Sequence, residues 1–231
     1  MTTTPQQHPA LRLDDVHFDY ARTPALRGVS LTVMAGEVVA VTGRSGSGKS
    51  TLLHVAAGLL RPQTGRVVVG GRDLSSLRDD EASALRRREV GIVLQHGQLV
   101  PELSVVDNVA LPLLLDGGEH RVARAVAADW LHRVGAGDLG PVTPPQLSGG
   151  QSQRVAVARA LAADPSLVLA DEPTGSMDAL GGEQLLDLLL AVCREGGRAL
   201  VVVTHDNRVA AAADREIRVA DGVIEYDAVL R

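Results

Sequence analysis

Between Leu11 and Tyr20 apolar residues alternate with polar ones, in Leu11-Arg12-Leu13 and then Val16-His17-Phe18-Asp19-Tyr20, and a second such run follows from Leu26 to Val33. Side chains of a strand point to opposite faces in turn, so the two runs predict paired strands of a small antiparallel sheet over 11–35. From Glu37 to Thr42 the pattern becomes a short apolar, β-branched run, which suits a strand buried on both faces. A glycine-rich turn and a helical stretch from Lys49 to Ala57 complete a strand, loop, helix unit, the mark of parallel α/β architecture. Val67-Val68-Val69, Val90 to Leu94, Leu167 to Ala170 and Ala199 to Val203 predict further buried strands, with helical patterns between most of them. From 96 to 145 the helical patterns Val105 to Leu111 and Val122 to Val134 follow one another with no strand between. This stretch predicts a helical subdomain inserted into an α/β core made of 36–95 and 146–231. No internal repeat or low-complexity tail interrupts the single domain expected over 1–231, and Gly135 to Pro145 is its Pro/Gly-rich hinge.

Composition narrows the class. With 231 residues, 45% of them hydrophobic and 22% charged, the chain suits a globular protein, and it has no run of 18 apolar residues that would span a bilayer. The first ten residues have neither a basic start nor an apolar segment, so they do not predict a secretory signal and a cytoplasmic protein is expected. A single cysteine, Cys193, excludes an internal disulfide and any Cys-rich metal site, and its place in the helical run Leu185 to Cys193 predicts a buried thiol. A net charge of −5 argues against a duplex-binding surface, so no nucleic-acid partner is expected. The one dense basic run, Arg86-Arg87-Arg88, follows Asp79, Asp80 and Glu81 and reads as a solvated helix face, and Trp130 reads as packing. Among 23 basic residues there is one lysine, Lys49.

That lysine sits in Gly43-Arg44-Ser45-Gly46-Ser47-Gly48-Lys49-Ser50, followed by Thr51, after a strand and at the opening of a helix. This is a complete phosphate-binding loop in its required context. Glycines let the backbone curl so that successive N–H groups point at a polyphosphate, and the helix N-terminus adds partial positive charge. Lys49 reaches the outer phosphate oxygens as a compact cation, and the Ser50 hydroxyl ligates Mg2+. The broad planar fork of an arginine does not suit that place, which accounts for the one lysine. Leu167 to Ala170 runs into Asp171-Glu172. Neighbouring carboxylates at a strand end point apart, so Asp171 can serve the Mg2+ shell and Glu172 an attacking water as general base. A solvated strand end is the alternative, disfavoured by the phosphate loop. Leu147-Ser148-Gly149-Gly150-Gln151, before a helix from Arg154 to Ala162, is a second cradle of hydroxyl and glycines for an anion. One nucleotide has no use for two cradles, so the second is expected to face the nucleotide of another subunit. An N-cap alone would account for Ser148 but not for two following glycines.

In order and spacing, the phosphate loop, Gln95 at a strand end, Leu147 to Gln151, Asp171-Glu172, Ser176-Met177-Asp178 and His205 after Val201-Val202-Val203-Thr204 resemble the ATP-binding subunits of ABC (ATP-binding cassette) transporters. The resemblance covers essentially the whole chain. Leu52 to Leu59, Leu99-Val100-Pro101, Asn108 to Pro112 and Ala170 to Gly175 look like the lipoprotein-releasing, macrolide-efflux and cell-division branch. The fold implied is a P-loop NTPase, a RecA-like parallel sheet core with an N-terminal antiparallel β subdomain and an inserted α-helical subdomain. The resemblance implies ATP and Mg2+ as ligands and a homodimer closed around two Mg-ATP. It also implies a separate membrane permease, driven from the inner face of the cell membrane. Tyr20 is implied to stack on adenine, with Phe18 as core. Gln95 is implied to touch Mg2+ or the water, His205 the γ-phosphate, and Asp178 to link the subunits beside the nucleotide.

Two positions depart from the family pattern. Ser176-Met177-Asp178 stands where Asn-Leu-Asp or Ala-Leu-Asp is common, and Ser152 where Gln commonly follows the pentapeptide. Met keeps the volume and apolarity of Leu, and every residue needed for hydrolysis is present, so an active ATPase is expected. Leu99, Val100, Leu103 and Val105, on a segment broken by Pro101, are expected to form part of a groove for a short cytoplasmic helix of the permease. A loop packing on its own core is the alternative. ATPases of this kind also serve iron-sulfur assembly or DNA maintenance without a membrane partner, and a cell-division regulator acting through one would share the chemistry. The long coiled-coil or zinc insertions usual in DNA-acting forms are missing from this sequence.

Overall fold

Leu11 and Leu13 of β1 (Leu11–Tyr20) face Val33 and Leu31 of β2 (Thr23–Val33) in an antiparallel hairpin, as the alternation requires. The computed structural model describes residues 8–95 and 97–230. The first seven residues of the N-terminal stretch, and position 96 at the start of the expected helical subdomain, lie outside the described residues.

β4 (Thr64–Val69) pairs with the other edge of β1, and β5 (Arg72–Asp73) follows it, giving a four-stranded sheet in the order β2-β1-β4-β5. The strand at Val67-Val68-Val69, expected in the parallel core, therefore belongs to the antiparallel sheet. Val67 and Val69 are 1% and 0% exposed while Val68 is half-buried, so only one face of this strand meets the core.

The second sheet has the order β10-β9-β3-β8-β7-β6. β3 (Val38–Thr42), β6 (Val90–Val93), β7 (Leu167–Asp171) and β8 (Ala199–Val203) run parallel, as does β9 (Arg215–Ala220) beside β3, while β10 (Val223–Val229) adds an antiparallel edge. The unbroken apolar runs have a simple cause. Val38, Ala40, Val168, Ala170, Leu200 and Val202 point into one hydrophobic core, and Val39, Val41, Leu167, Leu169, Val201 and Val203 into the other. β9 and β10 were not expected from the sequence. In β9, Ile217 and Val219 are fully buried, and the flanking Glu216 and Arg218 disguise the pattern.

α1 (Lys49–Ala56) covers one sheet face, together with Leu85 of α2 (Asp79–Glu89) and the antiparallel sheet. The opposite core is formed with α3 (Val105–Leu115), α4 (His120–Arg133), α5 (Gly149–Ala162) and α6 (Ala179–Glu195), and α7 (Asn207–Ala212) packs near β3. α3 and α4 pack on each other and both pack on α5. α3 runs four residues past the expected end at Leu111, through Pro112. α5 starts at Gly149 rather than Arg154, so the signature glycines form its first turn. Cys193 is fully buried on α6, and burial pushes its thiol up to about 12, which keeps it protonated and inert. Among the described residues no helix is long and apolar enough to cross a membrane.

Val105 is fully buried and Leu99 packs against the same core, so this part of the expected permease groove is internal packing. Asn108, also fully buried, organises the segment. Its Oδ1 accepts from Val100 N–H at 2.7 Å, and its Nδ2 donates to the carbonyls of Val100, Ser104 and Leu103 at 3.0, 3.1 and 3.2 Å.

Candidate functional site

β8 lies between β3 and β7, so the carboxyl ends of three neighbouring parallel strands deliver the loop after Thr42, the pair Asp171-Glu172, and His205 to one place. The loop itself is fixed by glycines. Gly43 has φ 141° and a Cβ there would lie 2.1 Å from the Val219 carbonyl, while Gly48, which caps α1 at φ 105°, would place a Cβ 2.5 Å from the Ala25 carbonyl. No side chain fits at either position, and the backbone curls tightly enough for Lys49 Nζ to donate to the carbonyls of Gly43 and Arg44 at 2.9 and 2.8 Å.

A cleft of about 540 Å³ opens over this loop. Gly43, Ser45, Gly46, Gly48, Lys49, Ser50 and Thr51 form its floor, and Tyr20, Gln95, Asp171, Glu172 and His205 stand around it. Arg44 projects into solvent, and Ser47 is buried beneath the loop with its hydroxyl, among the described residues, unpartnered. Tyr20 is half exposed at 49%, whereas Phe18 is 8% exposed and meets the Tyr20 ring edge-on at 4.9 Å. Phe18 is core and props a flat aromatic face at the mouth of the cleft.

Asp171 is 5% exposed as the last residue of β7, and the next residue leaves the strand abruptly. Glu172 has φ 47° and donates its N–H to the Val203 carbonyl at 2.9 Å. A left-handed non-glycine residue costs about 1 kcal/mol or more. Here it turns the carboxylate toward β8, where Glu172 Oε1 lies 2.8 Å from His205 Nδ1. The Glu172 carboxylate, through this hydrogen bond and its charge, holds the His205 imidazole above its ordinary pKa; Asp206 adds to the effect, and burial and Lys49 oppose it. The two residues are 33 apart in sequence, and no local pattern announces their contact.

The donors suit the ligands expected from the sequence. A loop of glycine amides ending in a helix N-terminus fits a polyphosphate, and the Ser50 hydroxyl, the Asp171 carboxylate and the Gln95 amide bring oxygen atoms to the same cleft. Mg2+ takes oxygen ligands and binds through few protein groups together with phosphates and waters.

A family model described as ABC transporter matches residues 26–175. The chain belongs to the ABC transporter family. As a member it is an ATP-binding ATPase. The lipoprotein-releasing system ATP-binding protein LolD of Bordetella pertussis is 45% identical over 231 residues, covering 98% of this chain and 100% of that protein. LolD of Shewanella frigidimarina is 43% identical, covering 90% and 87%, and LolD 2 of Caulobacter vibrioides 46%, covering 89% and 90%. Among solved structures, the ATP-binding cassette MJ0796, a dimer in a post-hydrolysis state bound to ADP and Pi, is 38% identical with a TM-score of 0.90, covering 96% of this chain and 99% of that one.

In this ABC ATPase the second cradle does not line the cleft of its own chain. Ser148 caps α5 in a reciprocal box with Gln151, whose N–H donates to Ser148 Oγ at 3.2 Å and whose Oε1 accepts from Ser148 N–H at 2.8 Å. Gly149 and Gly150 lie against Ser176 and Met177, where added Cβ atoms would sit 3.3 Å from Ser176 Cβ and 3.5 Å from Met177 Cγ. Asp178 caps α6 through the Gly181 N–H at 2.7 Å and borders a neighbouring cleft that shares Glu172 and His205 with the first. The cradle and Asp178 thus stand outside the first cleft.

Proposed function

We propose that this chain is the ATPase subunit of a lipoprotein-releasing type of transporter, in which two copies close around two Mg-ATP and drive a separate membrane permease. One observation carries the dimeric sandwich: the phosphate loop, Asp171, Glu172 and His205 share a cleft, while the capped helix of Ser148 to Gln151 lies outside it, available to a second copy. Tyr20 stacks on the adenine, the loop from Gly43 to Thr51 holds the phosphates, and Lys49 leaves its two carbonyl partners for phosphate oxygens. Ser50, Asp171 and Gln95 are the residues that would hold Mg2+, which supplies charge neutralisation on the transferred phosphoryl group. Glu172 orients a water and accepts its proton, and His205 contacts the γ-phosphate while steadying the Glu172 carboxylate. Ser148, Gly149, Gly150 and Gln151 of the second copy close over the same phosphates, with Asp178 linking the two sites.

Leu99 and Val105 are taken up by internal packing, so the permease docks at a neighbouring surface. A groove of about 300 Å³ runs between the core and the helical region, lined by Leu59, Leu94, Leu111, Pro112 and Leu115. Leu59 and Leu115 are 45% and 60% exposed, large apolar residues that the described residues leave open to solvent. A short cytoplasmic helix of the permease lies there, which places the ATPase on the inner face of the membrane. Reconstitution in vesicles with its membrane permease, carrying an acylated protein as cargo, tests the function by ATP-dependent release. ATP hydrolysis without release would favour a regulatory partner over a transporter. Loss of co-purification in Leu59→Asp and Leu115→Asp variants tests the groove.

A further inference from the structure

Arg86, Arg87 and Arg159 also line this groove, and none of its described lining residues is acidic. In a chain of net charge −5 that is a local reversal. The run Arg86 to Arg88 is therefore not simply the solvated helix face expected from the sequence. Arg86 donates to the Gly58 carbonyl at 2.8 Å and to Ser83 Oγ at 2.7 Å, and Arg159 to the carbonyls of Gly97 and Gln98 at 2.9 and 3.0 Å. Both have neutral acceptors, and burial lowers the pKa of both. Asp116, the carboxylate after α3, is already held by Arg88 Nε at 2.8 and 2.9 Å. Arg87 is different. Its Nε is shut off from solvent and, among the described residues, meets no acceptor. Asp79 acts on Arg86 through its charge, and the C-terminal ends of α2 and α5 bring only about half a negative charge each, fading within a turn, against three full positive charges.

We infer that the helix received by this groove presents a carboxylate to Arg87, beside an apolar face that meets Leu59, Leu111 and Leu115. The inference rests on the docking role proposed above and adds the partner's chemistry to it. A guanidinium in a partly apolar groove accepts a carboxylate through two parallel hydrogen bonds, which fixes the register of the docked helix as well as holding it. A partner helix with lysine or arginine at that place would leave like charges facing each other in the groove, so the same contact selects which permease is accepted.

The test uses the full chain co-expressed with its membrane permease, with the complex recovered from solubilised membranes. Arg87→Glu is expected to lower recovery by about tenfold or more. Replacing one Asp or Glu in the permease's short cytoplasmic helices by Arg is expected to restore recovery with that variant. Leu115→Asp serves as the control for the groove. Normal recovery with Arg87→Glu but loss with Leu115→Asp overturns the carboxylate and leaves the docking role standing. Normal recovery with both overturns the docking role and the inference together. Loss with Arg87→Glu that no charge reversal in the permease restores overturns the inference too. If Arg87→Glu melts below the parent protein, Arg87→Gln replaces it, since it removes the positive charge without adding a negative one. Weakened recovery with Arg87→Gln supports the inference, and undiminished recovery overturns it.

Discussion

Glu172 Oε1 and His205 Nδ1 meet at 2.8 Å across the ends of β7 and β8. The contact joins the two groups proposed to act on the γ-phosphate and its attacking water, and it depends on the left-handed backbone at Glu172. Continued in extended conformation, the residue after Asp171 would point its side chain along the strand's alternation rather than across to β8.

Glu172→Gln keeps the shape of that side chain and removes its basicity. The variant is expected to bind ATP and to lose steady-state turnover, measured as phosphate release. Because hydrolysis is what reopens the sandwich, it should also elute as a dimer in ATP during size-exclusion chromatography. A variant that binds ATP tightly yet stays monomeric would sink the two-copy arrangement.

The same change should be visible at His205. Its folded pKa is raised by Glu172, so the pair contributes to stability fully below the unfolded value, about 6.5, and loses that contribution as pH rises through the raised folded value. With the His205 side chain 79% exposed, solvent screening keeps the effect on stability small, and the titration is the better observable. By NMR the imidazole should titrate above its ordinary midpoint in the parent protein and shift down in Glu172→Gln. Equal midpoints in the two proteins would mean that the contact does not persist in solution.

The parts of this site that were legible in the sequence are those whose chemistry is local. Gly43 to Thr51 spells its own loop because the glycines, the lysine and the helix start are consecutive, and Asp171-Glu172 follows a strand whose apolar run is uninterrupted. What periodicity could not supply was partnership. Val67 to Val69 reads as a buried strand, but three residues do not say which sheet takes them. β9 escapes the pattern because Arg215, Glu216 and Arg218 break the apolar run that marks its neighbours. The helical pattern ends at Leu111, and Pro112 after it removes an N–H and crowds the preceding turn. In the structure the packing of α3 on α4 and α5 carries it to Leu115 regardless. Ser148 and Gln151 show the limit most clearly, since the sequence predicts a cradle while the structure of one chain shows a capping box.

Asn108 is the strongest test of the packing between the phosphate cleft and the helical region. Its amide reaches three carbonyls and one N–H in the segment from Val100 to Ser104, all inside the core. Asn108→Asp keeps the acceptor for Val100 N–H but turns a donor into a carboxylate oxygen facing three carbonyls, a cost on the order of 3 kcal/mol. The urea midpoint should fall accordingly. An unchanged midpoint would show that the segment is not held by this side chain.

Lys49→Arg conserves charge, so electrostatics alone predicts a mild effect, and the geometry predicts otherwise. Lys49 Nζ closes back on the carbonyls of Gly43 and Arg44, which sets how narrow the loop is. The loop cannot widen at its glycines. Gly43 is pressed against the Val219 carbonyl and Gly48 against the Ala25 carbonyl, so tightly that neither tolerates even a methyl group. A guanidinium, planar and broader than an ammonium, must then displace the phosphates instead, and a donor misplaced by that amount loses transition-state contact. The expected result is a fall in kcat/KM for ATP on the order of 100-fold, with a melting temperature close to that of the parent protein. Near-normal ATPase activity in Lys49→Arg would refute the geometric account of why this chain, with arginine at every other basic position, keeps one lysine.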